Sequence, residues 1–440
     1  MPFLLTTLVV SSVFGQIFRC HFLNKVYLLP IDIVLVITIL CWFFWQVFHK
    51  NFSNFNAKKI FWPSCFFFLW ALFSLIFNIH ILQLSWGESL YSFAYYARYL
   101  LYFSLIFIFS SQLKYKNNFY WKQLIFIPAF FIAILGFLQL KFFPNFDALN
   151  MQRFGWDPHI GRLLSTWFDP NLLGGYFVFI LSLLGGEIWD RVNKKQDYLF
   201  LTLIFIIILA ALFLTYSRSA YLAFLVAGFL FALIRDRKLL IVGFLIIGLT
   251  VIFSERTQQR VQNALKSAEA LFTETEKTLD PTARLRLKSW QIGWGLFQEN
   301  PVTGVGFNTL KFIQKQRWAF LTKSHAASGI DSSLLTVAAT TGSVGLILFL
   351  WIWFVILKES MTKFLKTKST FFIGFFVGII GLFVHAIFVN TLFFNLIFPT
   401  LFLVIALILE DTSYQLSKNE SIFKLCRQKY SRKQKWQEIS

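Results

Sequence analysis

Twelve long apolar runs separated by short loops constrain this chain more than any other feature. They fall near 3–18, 26–47, 60–82, 90–111, 122–143, 171–188, 198–215, 217–234, 238–253, 333–357, 371–388 and 390–409. A hydrocarbon core about 30 Å thick takes about 20 apolar residues per helix. The runs therefore read as membrane spans. Composition agrees, with 57% hydrophobic and 14% charged residues, against about 45–50% and about 25% in a soluble domain. The expected fold is an all-α polytopic membrane protein of about 12 transmembrane helices, with one long helical extracytoplasmic loop between spans nine and ten.

The charge pattern orients those spans. Net charge is +20, and most Lys and Arg lie in alternate short loops and in the tail, as at Lys58, Lys114, Arg191, Arg235 and Lys358. Positive loops face the cytoplasm, so both termini are expected there. Arg19 and Lys25 run against this orientation. The tail meets anionic lipid headgroups; no basic stripe interleaved with aromatics points to nucleic acid. The N-terminus lacks a charged n-region and an A-x-A cleavage site, so it reads as a retained first span. Cys20, Cys41, Cys65 and Cys426 form no CxxC pair, against a disulfide framework or a zinc site. The organisation expected is N-terminal helices over 1–200, a core over 201–350 containing the loop 254–332, C-terminal helices over 351–409, and a basic cytoplasmic tail over 410–440.

The loop is the only long polar interruption. Val261, Ala264, Leu265, Ala268 and Leu271 repeat at three–four spacing, which predicts an amphipathic helix. Asp280-Pro281 starts a second helix through Trp290, and Asn308 is placed to cap a third. Asp331 precedes the next span and is placed to cap it. The insert thus reads as a helical lid on the bundle.

Four arginines fall on the outer side against the positive-inside trend: Arg162, Arg218, Arg284 and Arg286. Snorkelling or pairing with Asp157 or Glu299 accounts for such residues. The other reading is bidentate contact with phosphate oxygens. Asp169-Pro170 is a helix-start signal, and Asn171 follows it with an amide able to bind sugar or phosphate. His325, Asp331 and His159 are the outer candidates for a proton acceptor. Gly304 and Gly306 do not extend to a nucleotide loop, and no Asp-x-Asp suggests a metal.

Four segments together resemble the bacterial O-antigen ligase and polymerase superfamily. They are GRLLSTWFDPNLLGG (Gly161 to Gly175), LTYSRSAYLAFLVAGFLFAL (Leu214 to Leu233), RLKSWQIGWGLFQENPVTGVGFNTL (Arg286 to Leu310) and DSSLLTVAATTGSVGLILFL (Asp331 to Leu350). The resemblance implies a metal- and cofactor-independent glycosyltransferase in the plasma (inner) membrane of a bacterium. Its donor would be a polyprenyl-diphosphate-linked glycan, and its acceptor a hydroxyl on a glycan, lipid or protein. It further implies Arg218 and Arg286 as the diphosphate-holding pair, with Arg284 placed to substitute or assist; Arg162, Asp169 and Asn171 are the candidates for substrate contact read from the residues themselves. Ligases of this family carry His-Asn-x-Tyr-Leu where this chain has Asp331-Ser-Ser-Leu-Leu. The proton acceptor is therefore Asp331 or His325, and the weight moves from a lipid A core ligase towards a polymerase or a related transferase. Trp156, Trp167 and Trp290 are candidates to stack on sugar rings. Two other classes stay open: a flippase or transporter of lipid-linked glycans, expected to show paired broken helices and ionisable residues within spans, and a non-catalytic assembly component.

Overall fold

The computed structural model describes residues 1–22, 26–49, 57–145, 159–253, 281–317 and 329–410, with isolated positions between 255 and 262. His325, Trp156, Asp157 and the stretch Ala264–Leu271 lie outside them, as does the tail beyond Glu410.

A helix stands at each of the twelve expected positions. They are α1 (Pro2–Ser11), α2 (Pro30–His49), α3 (Lys58–Ile81), α4 (Trp86–Gln112), α5 (Asn118–Phe142), α6 (Pro170–Asn193), α7 (Leu199–Leu214), α8 (Arg218–Arg235) and α9 (Lys238–Phe253), then α12 (Ser333–Thr367), α13 (Phe371–Phe388) and α14 (Phe398–Leu409). Among the described residues two loop helices, α10 (Pro281–Glu299) and α11 (Leu310–Arg317), come between α9 and α12. Among the described residues, eight helices are long and apolar enough to cross a bilayer: α2–α6, α8, α12 and α13. The protein is a multi-pass membrane protein. The other four span positions hold shorter helices. At 1.5 Å per residue, the 12 residues of α14 reach well short of a hydrocarbon core. That run begins later than expected because the backbone from Val389 to Ile397 is irregular, with a single helical turn at Thr391–Phe393, and Pro399 fits only the first turn of a helix. All residues of α14 are buried, as a helix apolar on every side should be. One element departs from the all-helical expectation: a short antiparallel ribbon pairs β1 (Cys20–Phe22) with β2 (Val26–Leu28).

Charges inside the spans are matched. Asp32 on α2 receives Arg98 and Tyr102 from α4, the latter at 2.8 Å, and the backbone N–H of Leu29 at 2.7 Å. At the opposite end of the bundle Glu187 of α6 holds Lys122 at 2.5 Å and Arg191 at 3.2 Å. Asp190 accepts the backbone N–H of Thr370 at 2.7 Å, fastening the start of α13.

The long helix α12 is broken at Gly342, whose φ of 69° and ψ of −170° lie in a region essentially only glycine visits. The loop after α10 fills the break. Val305 and Gly306 donate their backbone N–H to the carbonyls of Ala339 (2.9 Å) and Thr340 (3.0 Å), and Ser343 N–H donates to Pro301 O (2.7 Å). From α3, Trp70 donates to Thr341 O, Ser74 to Thr303 O and Thr340 O, and Asn78 to Gly304 O. Backbone polar groups cannot stay unpaired at membrane depth, so the NPVTGVGF segment and the broken helix need each other. Asn308 does not cap α11, which begins at Leu310; it takes a left-handed φ of 60° instead.

Candidate functional site

The N-terminus of α6 is the hub of the site. Asp169 caps it, accepting the backbone N–H of Asn171 at 2.8 Å and of Leu172 at 3.0 Å, with Pro170 in the first turn. The Asp169 carboxylate is thereby engaged by the backbone. Arg162 reaches back across the same turn: Nε donates to Thr215 O at 2.8 Å and Nη2 to Asn171 Oδ1 at 3.1 Å. This one side chain joins the segment before α6 to the turn between α7 and α8. Leu163 N–H donates to Leu214 O at 2.8 Å and repeats the link. Two non-glycine residues at the hub, Phe168 and Tyr216, adopt left-handed φ values of 60° and 49°, costly conformations that the surrounding structure must hold.

Arg218 opens α8 directly after that turn and is half-buried. A Cβ on Gly174 would lie 2.7 Å from Ala220 and 3.4 Å from Ser217, so the start of α8 packs closely on the second turn of α6. Arg162 and Arg218 therefore sit on the same helix end.

Arg286 arrives from the loop. On α10 the positions Arg286, Ser289, Trp290 and Gly293 follow i, i+3, i+4, i+7 spacing and share one face. That face is fastened at two places. Ser289 Oγ accepts the backbone N–H of Asp331 at 2.9 Å, and Trp290 Nε1 donates to Asp331 O at 2.9 Å. The Trp290 ring also packs on Phe388 at the end of α13, with centroids 5.7 Å apart. Arg286 is half-buried, whereas Arg284 is exposed, because residues two apart on a helix do not face the same way. Glu299, weighed as a partner for these arginines, pairs instead with Arg317.

Asp331 is exposed and stands one residue before the cap position. Ser332 is the cap of α12, its Oγ accepting the N–H of Leu335 at 3.3 Å. The expected capping role of Asp331 is thus corrected: Ser332 takes it, and the Asp331 backbone is tied to α10. Trp167 is also corrected, since it is fully buried against Tyr176 and donates to Ser12 O; it has no face for a sugar. His159 is half-buried in the segment leading to Arg162.

The structure adds one residue that the sequence reading passed over. His385, fully buried on α13, lies against the first turns of α6. Its Nδ1 is 2.6 Å from Thr391 Oγ1, the Asn171 backbone lies beside its ring, and Arg286 is close enough for its charge to act on it. The ring fits because position 175 is glycine: a Cβ there would lie 2.9 Å from His385 Nδ1. The signal was a lone histidine in the apolar run FFIGFFVGIIGLFVHAIF, and an ionisable residue within a span is a functional pointer by default.

Arg162, Arg218, Arg286 and the positive end of the α6 dipole thus gather at one end of the bundle. The arrangement suits an anion with several oxygens. No group of three or more His, Cys, Asp or Glu suited to a metal occurs among the described residues. Residues 203–350 match the family model described as O-antigen ligase. No curated protein matches the chain.

Proposed function

From its membership, through residues 203–350, of the O-antigen ligase/polymerase superfamily, we propose that this membrane enzyme of polysaccharide assembly transfers a glycan from a polyprenyl diphosphate carrier to an acceptor hydroxyl, as a polymerase or ligase. The observation that carries the reading is the convergence of Arg162, Arg218 and Arg286 around the N-terminus of α6. In the reaction the acceptor oxygen attacks the anomeric carbon, the bond from that carbon to the phosphate oxygen breaks, and polyprenyl diphosphate leaves with the electron pair. Charge grows on the leaving group, and fixed cations aimed at it supply the main electrostatic stabilisation. Arg218 and Arg286 take that role. Arg162 and Asn171 hold the phosphate side of the pocket, and Arg284 is left to the exposed part of the substrate. Asp331 or His325 receives the proton of the acceptor hydroxyl; the Asp331 backbone bonds to Ser289 and Trp290 favour a carboxylate kept near Arg286.

The basic loops belong to the end of the bundle away from this site, which supports an outward-facing site, cytoplasmic termini and the inner membrane of a bacterium. The transporter reading called for charges within spans and for paired broken helices. Asp32 and Arg98 are such charges, yet they are committed to each other. Among the described residues one helix, α12, is broken, and the loop after α10 fills the break.

The direct test supplies purified protein with a radiolabelled polyprenyl-diphosphate glycan and candidate acceptors. Arg218→Ala and Arg286→Ala should each lower transfer by about 100-fold or more, the size seen on removing one stabilising donor. Unchanged transfer by folded variants would rule out the diphosphate assignment. Comparing Asp331→Asn with His325→Ala identifies the proton acceptor, and full activity in both removes that role from each.

A further inference from the structure

A cavity of about 260 Å³ opens beside the arginine site, between α4, the segment Phe307–Lys311, the start of α12 and the irregular stretch before α14. Its volume lies near the lower end of the ~300–1,000 Å³ typical of small-molecule sites. Its walls combine two kinds of group. Rings dominate: Tyr91 and Tyr95 lie 4.7 Å apart, and Tyr99 packs between Phe307, Phe393 and Phe398 at 5.1–6.2 Å. Among them stand asparagine amides. Asn308 Nδ2 and Asn390 Oδ1 are buried with no hydrogen-bond partner among the described residues.

Buried amide ends are nearly always bonded, and leaving one unmade costs about 1–3 kcal/mol. Two such ends, one a donor and one an acceptor, on a single aromatic cavity indicate a guest that both donates and accepts. A lipid tail offers neither function. A sugar ring offers hydroxyls for the amides and C–H faces for the aromatic rings. No carboxylate lines the cavity among the described residues; of the two cations that do, Arg98 is held by Asp32 and Lys311 stands over the Tyr91 ring, 5.2 Å from its centroid. The cavity also shares a wall with the arginine site, because Asn390 is the chain neighbour of Thr391, which holds His385.

We propose that this cavity is a saccharide subsite, binding a short stretch of glycan next to the diphosphate-holding arginines. The assignment rests on the transferase reading for the position of the reacting bond, but its binding chemistry can be tested alone. The probe is oligosaccharide released by mild acid from the lipid-linked glycans of the cell that makes the protein. Its binding to the purified full chain is followed by saturation-transfer NMR, and inorganic diphosphate is titrated separately as the probe of the arginines. Tyr95→Ala and Asn390→Ala should each weaken oligosaccharide binding about tenfold, since ~1.4 kcal/mol of lost contact is a factor of ten. Tyr95→Phe, which keeps the ring, should change it less than about twofold. Diphosphate affinity should stay as in the wild type in all three, which also certifies their fold.

Oligosaccharide binding unchanged in both alanine variants, or absent from the wild type, overturns the subsite and leaves the arginine assignment standing. Diphosphate binding that ignores Arg218→Ala while the sugar result holds overturns the arginine assignment instead. In transfer assays, a rise confined to the donor KM in Tyr95→Ala places the donor glycan in the cavity, and a rise confined to the acceptor KM places the acceptor there.

Discussion

Replacing Gly342 by alanine tests whether the loop and the broken helix form one unit. A Cβ at this position would lie 2.0 Å from Val302 O and 2.3 Å from Val302 C, at a φ of +69°. The backbone cannot relax in place, because alanine at such φ and ψ costs about 1–3 kcal/mol by itself. The alternative is for α12 to straighten or the loop to withdraw. Either move gives up the three backbone bonds that Val305, Gly306 and Ser343 make across the break, each worth about 0.5–1.5 kcal/mol. Straightening costs those bonds, about 1.5–4.5 kcal/mol, and withdrawal of the loop costs them while the strain stays, about 2.5–7.5 kcal/mol, towards the severe end for a single substitution.

The loop is continuous with α10, so its withdrawal also shifts Arg286 and the Ser289–Asp331 tie. Gly342→Ala should therefore lower both the unfolding temperature in detergent and the transfer rate. Gly228→Ala is the matched control, since nothing lies within 4 Å of its added Cβ; it should be neutral or slightly stabilising, alanine being favoured over glycine in a helix by about 0.5–1 kcal/mol. If Gly342→Ala unfolds and turns over like Gly228→Ala, the loop does not depend on the break, and the account of how Arg286 is positioned is wrong.

Three further perturbations have defined outcomes. Asp32→Ala strands Arg98 among the helices and should cost about 3–5 kcal/mol, whereas Asp32→Leu combined with Arg98→Leu should recover most of it; equal unfolding temperatures for the single and double variants would show the pair is not coupled. His385→Ala should reduce transfer by about tenfold or more, with a stability loss of about 2–5 kcal/mol for the cavity it leaves. Thr391→Val, which removes the hydroxyl but keeps the ring beside Arg286, should retain more activity, and the reverse order would place the hydroxyl rather than the ring at the site. Glu299→Gln breaks an ion pair whose side chains are 42% and 52% exposed, and such pairs contribute at most about 1 kcal/mol; transfer and unfolding temperature should both stay within error.

The parts of the fold legible in the sequence were those written locally. Apolar run length located a helix near each expected run, eight of them long enough to cross a bilayer among the described residues, Asp169-Pro170 announced the start of α6, and the spacing on α10 was readable from Arg286 to Gly293. The parts that were not legible depend on distant partners. Nothing near Asp331 says that Ser289 and Trp290 will hold its backbone and leave the cap to Ser332. Nothing near Gly342 says that a loop some forty residues upstream will fill a break there. Trp167 was a candidate to stack on a sugar ring, yet Ser12 and Tyr176 bury it. The aromatic cavity draws on four separate segments, so no single stretch of sequence announces it. Asp32 escaped notice among its apolar neighbours, although Arg98 in the matching helix already required a partner.

The ties between α10 and the membrane helices change what the outer insert is. A lid that swings must pivot on a segment with few bonds, yet residues 281–306 are bonded at two places: to Asp331 and Phe388 through Ser289 and Trp290, and to the broken α12 through Val305 and Gly306. Arg286 lies one turn before the first of these anchors, on the same helix face. A cation that stabilises a leaving group is effective in proportion to how little it must reorganise when charge develops. An anchor one turn away on the same helix, a second anchor in the loop that follows it, a turn of α6 shared by Arg162 and Asn171, and an Arg218 at the first position of α8 are the features such preorganisation requires. Residues 281–306 are therefore better understood as a wall of the site, and under the proposed transfer the diphosphate would enter between fixed arginines rather than being closed upon by a moving one.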